Sequence, residues 1–247
     1  MKDFTFRNDT RLLFRNDIRE TVADIVKGKK VMLVYGGGSV KRNGFYEDIT
    51  TALAMAGVPT AYTGLVTLVQ LSACILGDRN KMSYDAGISY IKNVLEATRT
   101  LQKNPHDLDA RGTIMLGASL STSSRIGIGK VEQFAYDIYE LEFLPEVLFG
   151  STYRRSLTSV FPRFLRIMGR HHEEDIRKYF LDAFGFDSSV EESSRKLTEL
   201  FATFGIPMWY EDEVGREQVA AVPCHTELSR EEVFEIINEL RCEHLFT

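Results

Sequence analysis

Three glycines and a serine follow the apolar stretch VMLVY and could bind a phosphate group. The apolar stretch predicts a strand buried on both faces, and the residues from Asn43 onward predict a helix. Backbone N–H groups between a strand and a helix can approach an anion closely where no side chain intervenes. The candidate dinucleotide-binding residues are Gly36, Gly37, Gly38 and Ser39. Their spacing is not that of the general dinucleotide fingerprint, so a tight turn is the alternative interpretation.

Two other segments contain side chains that could do chemistry. His171 and Asp175 are four residues apart, so on a helix they would share one face and could hold a surface metal ion. Three converging ligands are not evident there, so we interpret the segment as a solvated helix start whose acids complement the helix dipole. Cys224 precedes His225, but no third group that would orient the histidine is visible, and we expect a loop.

The glycine segment lies in a short N-terminal βα module, for which we take residues 1–58. FTFRND and TRLLFR alternate like two short strands, and Asp17 is placed to cap a first helix. A second helix follows the glycines and is expected to run through Ala56, with Gly57 as the residue that ends it and Pro59 beyond.

The remaining residues, 59–247, predict a helical domain. Helical spacing of apolar residues recurs with few strand signals, and Ser229 is placed to cap the last helix. The predicted helices cover 66–76, 82–103, 108–124, 130–143, 155–168, 172–184, 189–204 and 230–241.

Composition sets further limits on function. The net charge of −5 gives no electrostatic reason to expect nucleic acid or a membrane surface as partner. Three widely spaced cysteines fit a reducing compartment better than a disulfide framework. The N-terminal residues contain no apolar run, and the longest apolar stretch is too short to span a bilayer. We therefore expect a cytoplasmic protein.

Several of these segments, in order, resemble the iron-containing alcohol dehydrogenases, in their butanol-dehydrogenase-like branch. The similar segments are FTFRNDTRLLF, KKVMLVYGGGSVKRNGFYEDITTAL, NPHDLDARGTIMLGASLSTSSRIGIGK, FPRFLRIMGR, LTELFATFGIP and LSREEVFEIINEL. The resemblance implies a Rossmann-like domain that binds NAD(P) and a helical domain that holds iron or zinc. In this family the metal polarises the alcohol or aldehyde oxygen while hydride passes to or from nicotinamide.

The sequence departs from the family pattern by its length. PTAYTGLVTLVQLSA, which begins at Pro59, resembles the family segment that enters the metal-binding helix. It follows the first βα unit almost directly, so a second glycine motif and the strands around it are missing. The resemblance therefore implies an internally shortened nucleotide domain with at most residual, weak NAD(P) binding at Gly36–Ser39.

The metal ligands also depart from the family pattern, which expects one aspartate and three histidines. By the resemblance, Val69 stands in place of the aspartate and Ala73 in place of a histidine, while Asp137 and Leu141 fall on the helix that carries further histidines. Phe149 stands where the last ligand belongs. Of these residues only Asp137 could coordinate, and one carboxylate does not hold iron or zinc tightly. We therefore expect no bound Fe or Zn.

These features lead to one fold prediction and three functional hypotheses. The fold is predicted to be α+β: a βα remnant of a Rossmann-like domain, then an all-helical dehydroquinate-synthase-like domain. The leading hypothesis is a metal-free, catalytically inactive family relative, a pseudoenzyme that acts as a binding or assembly protein. The second is an active NAD(P)-dependent alcohol or aldehyde oxidoreductase, and the third is a decayed fragment with no selected role. Because the strand Val31–Tyr35 would leave an apolar sheet edge open, we expect a homodimer through the N-terminal strands.

Overall fold

The computed structural model describes residues 60–122, 126–130 and 136–241, in which helices are joined by turns and loops. The predicted N-terminal strands, the 1–58 module and Gly36–Ser39 lie outside the described residues. In chain order, the described helices are α1 (Thr60–Ile75), α2 (Lys81–Lys103), α3 (Leu108–Thr122), α4 (Asp137–Leu141), α5 (Phe143–Phe149), α6 (Tyr153–Met168), α7 (Glu173–Phe184), α8 (Val190–Ala202), α9 (Arg216–Ala221) and α10 (Arg230–Glu239).

Helix α1 lies in the centre of this helical unit. Its sequence TAYTGLVTLVQLSACI is apolar on nearly every face, which is typical of a helix that is buried all round. Helices α2, α3 and α6 pack against it. Gly64 allows the closest approach, since a Cβ added there would lie 2.0 Å from Oγ1 of Thr98 on α2. This packing places both Val69 and Ala73 in the core.

Helix α6 is the second buried helix and anchors the C-terminal part of the described chain. Helices α8 and α10 pack against it. The guanidinium of Arg166, on α6, is buried and pairs with Glu235 at 2.6 Å and with Glu239, both on α10. Arg170 adds a second ion pair to Glu235 at 2.6 Å. The last helix is thus held to α6 by ion pairs as well as by apolar contacts.

Local capping residues explain where several helices begin. The side chain of Asn80 accepts a hydrogen bond from Ser83 N at the start of α2, over 3.1 Å. Ser189 does the same for α8, and Ser229 with Glu232 forms a capping box on α10. Helix α7 begins at Glu173 with three acids in its first turn, as the solvated-helix interpretation predicted.

The sequence predicted most of these helices, but it was wrong between residues 130 and 149. The prediction was one helix over 130–143. Instead, Lys130 forms an isolated antiparallel bridge with Asp78. Helix α4 begins only at Asp137, and the unpredicted helix α5 follows it. The short helix α9 was also not predicted.

None of the described helices is long and apolar enough to cross a membrane.

Candidate functional site: the expected metal-ligand positions

Val69 and Ala73 lie one turn apart on α1, and both are fully buried in the apolar core. The neighbouring Gln70 donates a hydrogen bond to the hydroxyl of Tyr153 over 3.3 Å. Its side-chain oxygen accepts from Ser121 over 3.4 Å. Neither Val69 nor Ala73 has a side-chain atom that can coordinate a metal, and both contribute to core packing.

Lys130 connects this part of α1 to the segment that enters α4. Its Nζ donates a hydrogen bond to the backbone oxygen of Ala73 over 2.5 Å. The same Nζ lies 3.6 Å from the centroid of the Tyr136 ring, directly before Asp137. Sequence reasoning placed Lys130 in a helix and assigned it no role. The glycine pair Gly127 and Gly129, typical of a turn, was the signal that could have corrected this.

The carboxylate of Asp137 accepts hydrogen bonds from other residues of the protein. Its Oδ2 accepts a hydrogen bond from Thr226 Oγ1 over 2.6 Å and another from Glu227 N over 3.0 Å. Both donors lie in the segment CHTE, which the sequence predicted to be a loop. Asp137 is only 9% exposed, so its remaining access to a ligand is small.

The Cys224 thiol is not activated in this loop. Burial, together with the nearby carboxylates of Glu140 and Asp137, raises its pKa to about 11. A thiol with such a pKa is a weak nucleophile at neutral pH, because the thiolate is the reactive form. The backbone N of His225 donates to Glu140 over 3.2 Å. The interpretation of CHTE as a structural loop is therefore favoured.

Phe149 and Leu141 complete the set of expected ligand positions. Phe149 stacks on the ring of Tyr210, with ring centroids 4.6 Å apart and an interplanar angle of 19°. The hydroxyl of Tyr210 lies 2.7 Å from Ser151 Oγ. The centroid of the Tyr210 ring lies 4.0 Å from Cζ of the Arg155 guanidinium. Leu141 is fully buried. Aromatic and aliphatic packing thus occupies these two positions.

The residues present at these positions do not fit a bound iron or zinc ion. Four of the five side chains have no donor atom, and the carboxylate of Asp137 already accepts two hydrogen bonds. Within residues 60–122, 126–130 and 136–241, no three or more His, Cys, Asp or Glu side chains are grouped so that they could hold a metal ion. Structural and catalytic zinc sites normally use at least three protein ligands.

The His171 and Asp175 pair also does not form a metal site. His171 Nε2 lies 2.5 Å from Glu232 Oε1 on α10. Asp175 instead accepts a hydrogen bond from Arg79 over 2.7 Å. The two side chains therefore have different partners on different elements, in agreement with the structural interpretation of this helix start.

Glu142 is a buried carboxyl that sequence reasoning did not identify. It joins α4 to α5 and is 8% exposed, and its Oε2 has no hydrogen-bond partner. Burial, together with the nearby carboxylate of Glu146, raises its pKa to about 7. Neither residue lies at a position where the family resemblance expects a ligand.

Comparison with known proteins supports the family resemblance. No family model matches the chain. A stretch of 59 residues is 46% identical to the probable NADH-dependent butanol dehydrogenase 2 of Bacillus subtilis, and covers 23% of this chain and 15% of that protein.

Solved structures share the fold at low sequence identity. The NADH-dependent butanol dehydrogenase A of Thermotoga maritima superposes with a TM-score of 0.61 at 16% identity, over 74% of this chain and 52% of that one. The aldehyde reductase YqhD of E. coli gives a TM-score of 0.63 at 14% identity, over 73% of this chain and 52% of that one.

The fold is thus that of the dehydrogenases that these structures represent. One stretch of the chain is thus similar in sequence to butanol dehydrogenases, and the described helices are similar in fold to solved structures of a butanol dehydrogenase and an aldehyde reductase. It spans about half the length of the two solved structures.

Proposed function

We propose that this chain is a catalytically inactive, metal-free relative of the iron-containing alcohol dehydrogenases that acts as a binding or assembly protein. The observation that carries the proposal is the state of the expected ligand positions. Val69 and Ala73 are buried in the core, Phe149 stacks on Tyr210, and Asp137 is bonded to the CHTE loop.

The replacements form a physically consistent set. Without a metal ion, a buried cluster of histidine and aspartate side chains would be unpaired, which is energetically costly. Apolar side chains at these positions gain free energy from burial instead. The remaining acid, Asp137, has found protein donors. Such a pattern favours a stable helical unit over a vacant metal centre.

An active oxidoreductase is the alternative. The sequence match to an NADH-dependent butanol dehydrogenase supports it. Residual, weak NAD(P) binding at Gly36–Ser39 is compatible with either function, and we propose these four residues as the dinucleotide contact. An active oxidoreductase would need metal ligands other than the residues at the positions that the resemblance identifies.

Two measurements on the purified full chain distinguish these functions. Elemental analysis after dialysis should find far less than one Fe or Zn per chain. Reduction of butanal with NADH or NADPH should not exceed the rate without protein, because hydride transfer needs a fixed donor and a polarised acceptor.

The variant Gly38→Val provides the control for contaminating activity. A trace of another dehydrogenase would turn over butanal equally in both preparations. Turnover that the substitution abolishes, or one metal ion per chain, would establish the active-enzyme alternative. Fluorescence titration with NADH should give weak binding that Gly38→Val removes, which tests the dinucleotide proposal separately from catalysis.

A further inference from the structure

A groove of about 450 Å³ runs along the exposed side of α7. One wall is a single face of that helix, between Glu173 and Leu181, and the other wall is formed by residues 186–188, in the segment that leads to α8. All residues of both walls belong to the described part of the chain. A volume of this size is typical of sites that bind small molecules.

The segment that leads to α8 runs back along α7. The chain reverses at Gly185, which has a φ of 73° and donates its N–H to Leu181 O over 2.9 Å. At the other end, Val190 lies against Gly169, since a Cβ added to that glycine would lie 2.4 Å from Cγ1 of Val190. The groove therefore follows α7 from its last turn towards its first turn. The helical residues that line it span about 12 Å at the rise of an α-helix.

The end of the groove near Gly185 is apolar. Leu181 is 48% exposed there, and the Phe186 ring stacks on Phe184 with ring centroids 5.5 Å apart. Because the stacking holds the Phe186 ring in place, the two side chains present a fixed apolar surface to a ligand. An apolar ligand group gains free energy when it covers such a surface.

Arg177 lies one turn before Leu181 on the same face of α7. Its exposed guanidinium forms no ion pair or hydrogen bond with any residue that the structure describes. The neighbouring Lys178 differs, since its amine pairs with Asp182 and lies 4.0 Å from the centroid of the Tyr84 ring on α2. Of these two cations, Arg177 is therefore the one available to a ligand, and a guanidinium can bind a carboxylate through two parallel hydrogen bonds.

Carboxylates line the groove towards the first turn of α7. Glu173 and Glu174 belong to that turn, and Asp187 lies on the opposite wall. Across the described ranges, none of these three carboxylates is paired with a lysine or an arginine. The amine of Lys196 donates to the residue after Asp187 over 3.4 Å, but it pairs with Glu192 at 3.6 Å. This part of the groove is therefore suited to a cationic ligand group.

We propose that this groove binds a free α-amino acid with a large apolar side chain. At neutral pH such a molecule carries a carboxylate and an ammonium group on one carbon atom, and its side chain points in a third direction. Arg177 binds the carboxylate, the acids of the first turn bind the ammonium, and Leu181 with Phe186 covers the side chain. None of these residues stands at an expected metal-ligand position, so the site does not depend on the function proposed above.

Binding of L-phenylalanine to the purified full chain tests the proposal, and a titration followed by the NMR signals of the ligand measures it. Three analogues each lack one of the recognised groups. L-phenylalanine amide lacks the carboxylate, N-acetyl-L-phenylalanine lacks the ammonium, and L-alanine lacks the large side chain. We expect each analogue to bind at least about tenfold more weakly than L-phenylalanine, because each leaves one part of the groove without its partner.

Two variants show whether Arg177 makes the contact with the carboxylate. Arg177→Gln should weaken binding of L-phenylalanine at least about tenfold. In this variant, L-phenylalanine and its amide should bind similarly, because the guanidinium that distinguishes them is gone. Arg230→Gln, which removes an exposed arginine at the start of α10, should leave binding unchanged. Equal helicity by circular dichroism shows that both variants are folded.

Three results would each overturn the proposal. The first is the absence of L-phenylalanine binding at about 10 mM ligand. The second is an Arg177→Gln protein that binds L-phenylalanine as tightly as the wild type does. The third is equal binding of L-phenylalanine and N-acetyl-L-phenylalanine, which would mean that the carboxylates of the groove do not recognise an ammonium group.

Discussion

At the residue scale, Asp137 has a structural role at a position where the family resemblance expects a ligand. Its buried carboxylate receives two hydrogen bonds from the loop that follows α9. Asp137→Ala leaves both donors without their acceptor, and we expect a loss of about 1–3 kcal/mol in the free energy of unfolding. Urea denaturation of the variant measures this loss.

Thr226→Val gives the matched control for Asp137→Ala. The two substitutions remove opposite sides of one bond, so the double variant should lose less stability than the sum of the single variants. An Asp137→Ala protein with wild-type stability, or one that has lost a bound metal, would contradict the structural role.

Glu142 gives a pH-dependent prediction at the same scale. Its pKa of about 7 exceeds the value of about 4.3 expected in the unfolded chain, so the folded protein binds this proton more tightly. Its contribution to stability is therefore fully present below pH about 4.3 and is lost as pH rises through about 7. Glu142→Gln resembles the protonated form, and we expect it to be more stable than the wild type at pH 8.

Denaturation at two pH values checks this expectation. The stability difference between Glu142→Gln and the wild type should be clearly smaller at pH 5 than at pH 8. Glu96→Gln, on the exposed face of α2, should show little such change. If Glu142→Gln is equally or less stable than the wild type at pH 8, the carboxyl is ionised in the folded protein without penalty.

At the element scale, the sequence predicted the long helices because each has a clear apolar pattern or cap. It did not predict α9, which has six residues and buries only Val219. It also merged α4 with the turn before it. Helix α5 exposes Phe143 and Val147, at 48% and 52%, so its apolar residues do not follow one buried face. Such short helices are stabilised by tertiary contacts, which the spacing of apolar residues in the sequence does not predict.

The crossing of α1 and α2 supplies a prediction about packing. A methyl group at Gly64 would lie 2.0 Å from Oγ1 of Thr98, a fully buried and β-branched residue whose hydroxyl is bonded to Val94 O over 2.6 Å. Gly64→Ala should therefore force the helices apart and cost about 1–3 kcal/mol. Thermal or urea denaturation measures this cost.

A second substitution shows whether the close approach is the cause. Thr98→Ala removes the clashing atom, so Gly64→Ala should cost less in a Thr98→Ala background than in the wild type. An equal cost in both backgrounds would mean that the clash at Thr98 is not the origin of the effect.

At the scale of the whole molecule, the family resemblance indicated where ligands are expected, but not which contacts the residues at those positions make. The partner of Phe149 is Tyr210, and the partner of Asp137 is the CHTE loop, each far away along the chain. Lys130 likewise reaches Ala73 across 57 positions. A single sequence does not indicate such pairings, because they depend on how the helices pack. The ligand positions could be found only through the family resemblance.

The N-terminal sequence, which lies outside the described residues, predicts that the chain forms a homodimer. The stretch Val31–Tyr35 is apolar, and an open apolar sheet edge favours pairing with another chain. A two-fold homodimer is the simplest arrangement that covers such an edge. Light scattering of the full chain at micromolar concentration should therefore give a mass of twice 28.1 kDa.

Substitutions in the first predicted strand test where the subunits meet. Phe4 and Phe6 alternate with Thr5, so they are expected to lie on one face of that strand. Phe4→Lys combined with Phe6→Lys should shift the protein towards a monomer of 28.1 kDa, whereas Thr5→Lys should do so much less. Unchanged helicity by circular dichroism would show that the helical unit stays folded. A wild-type monomer, or a dimer that persists when residues 1–15 are deleted, would place the interface elsewhere or remove it.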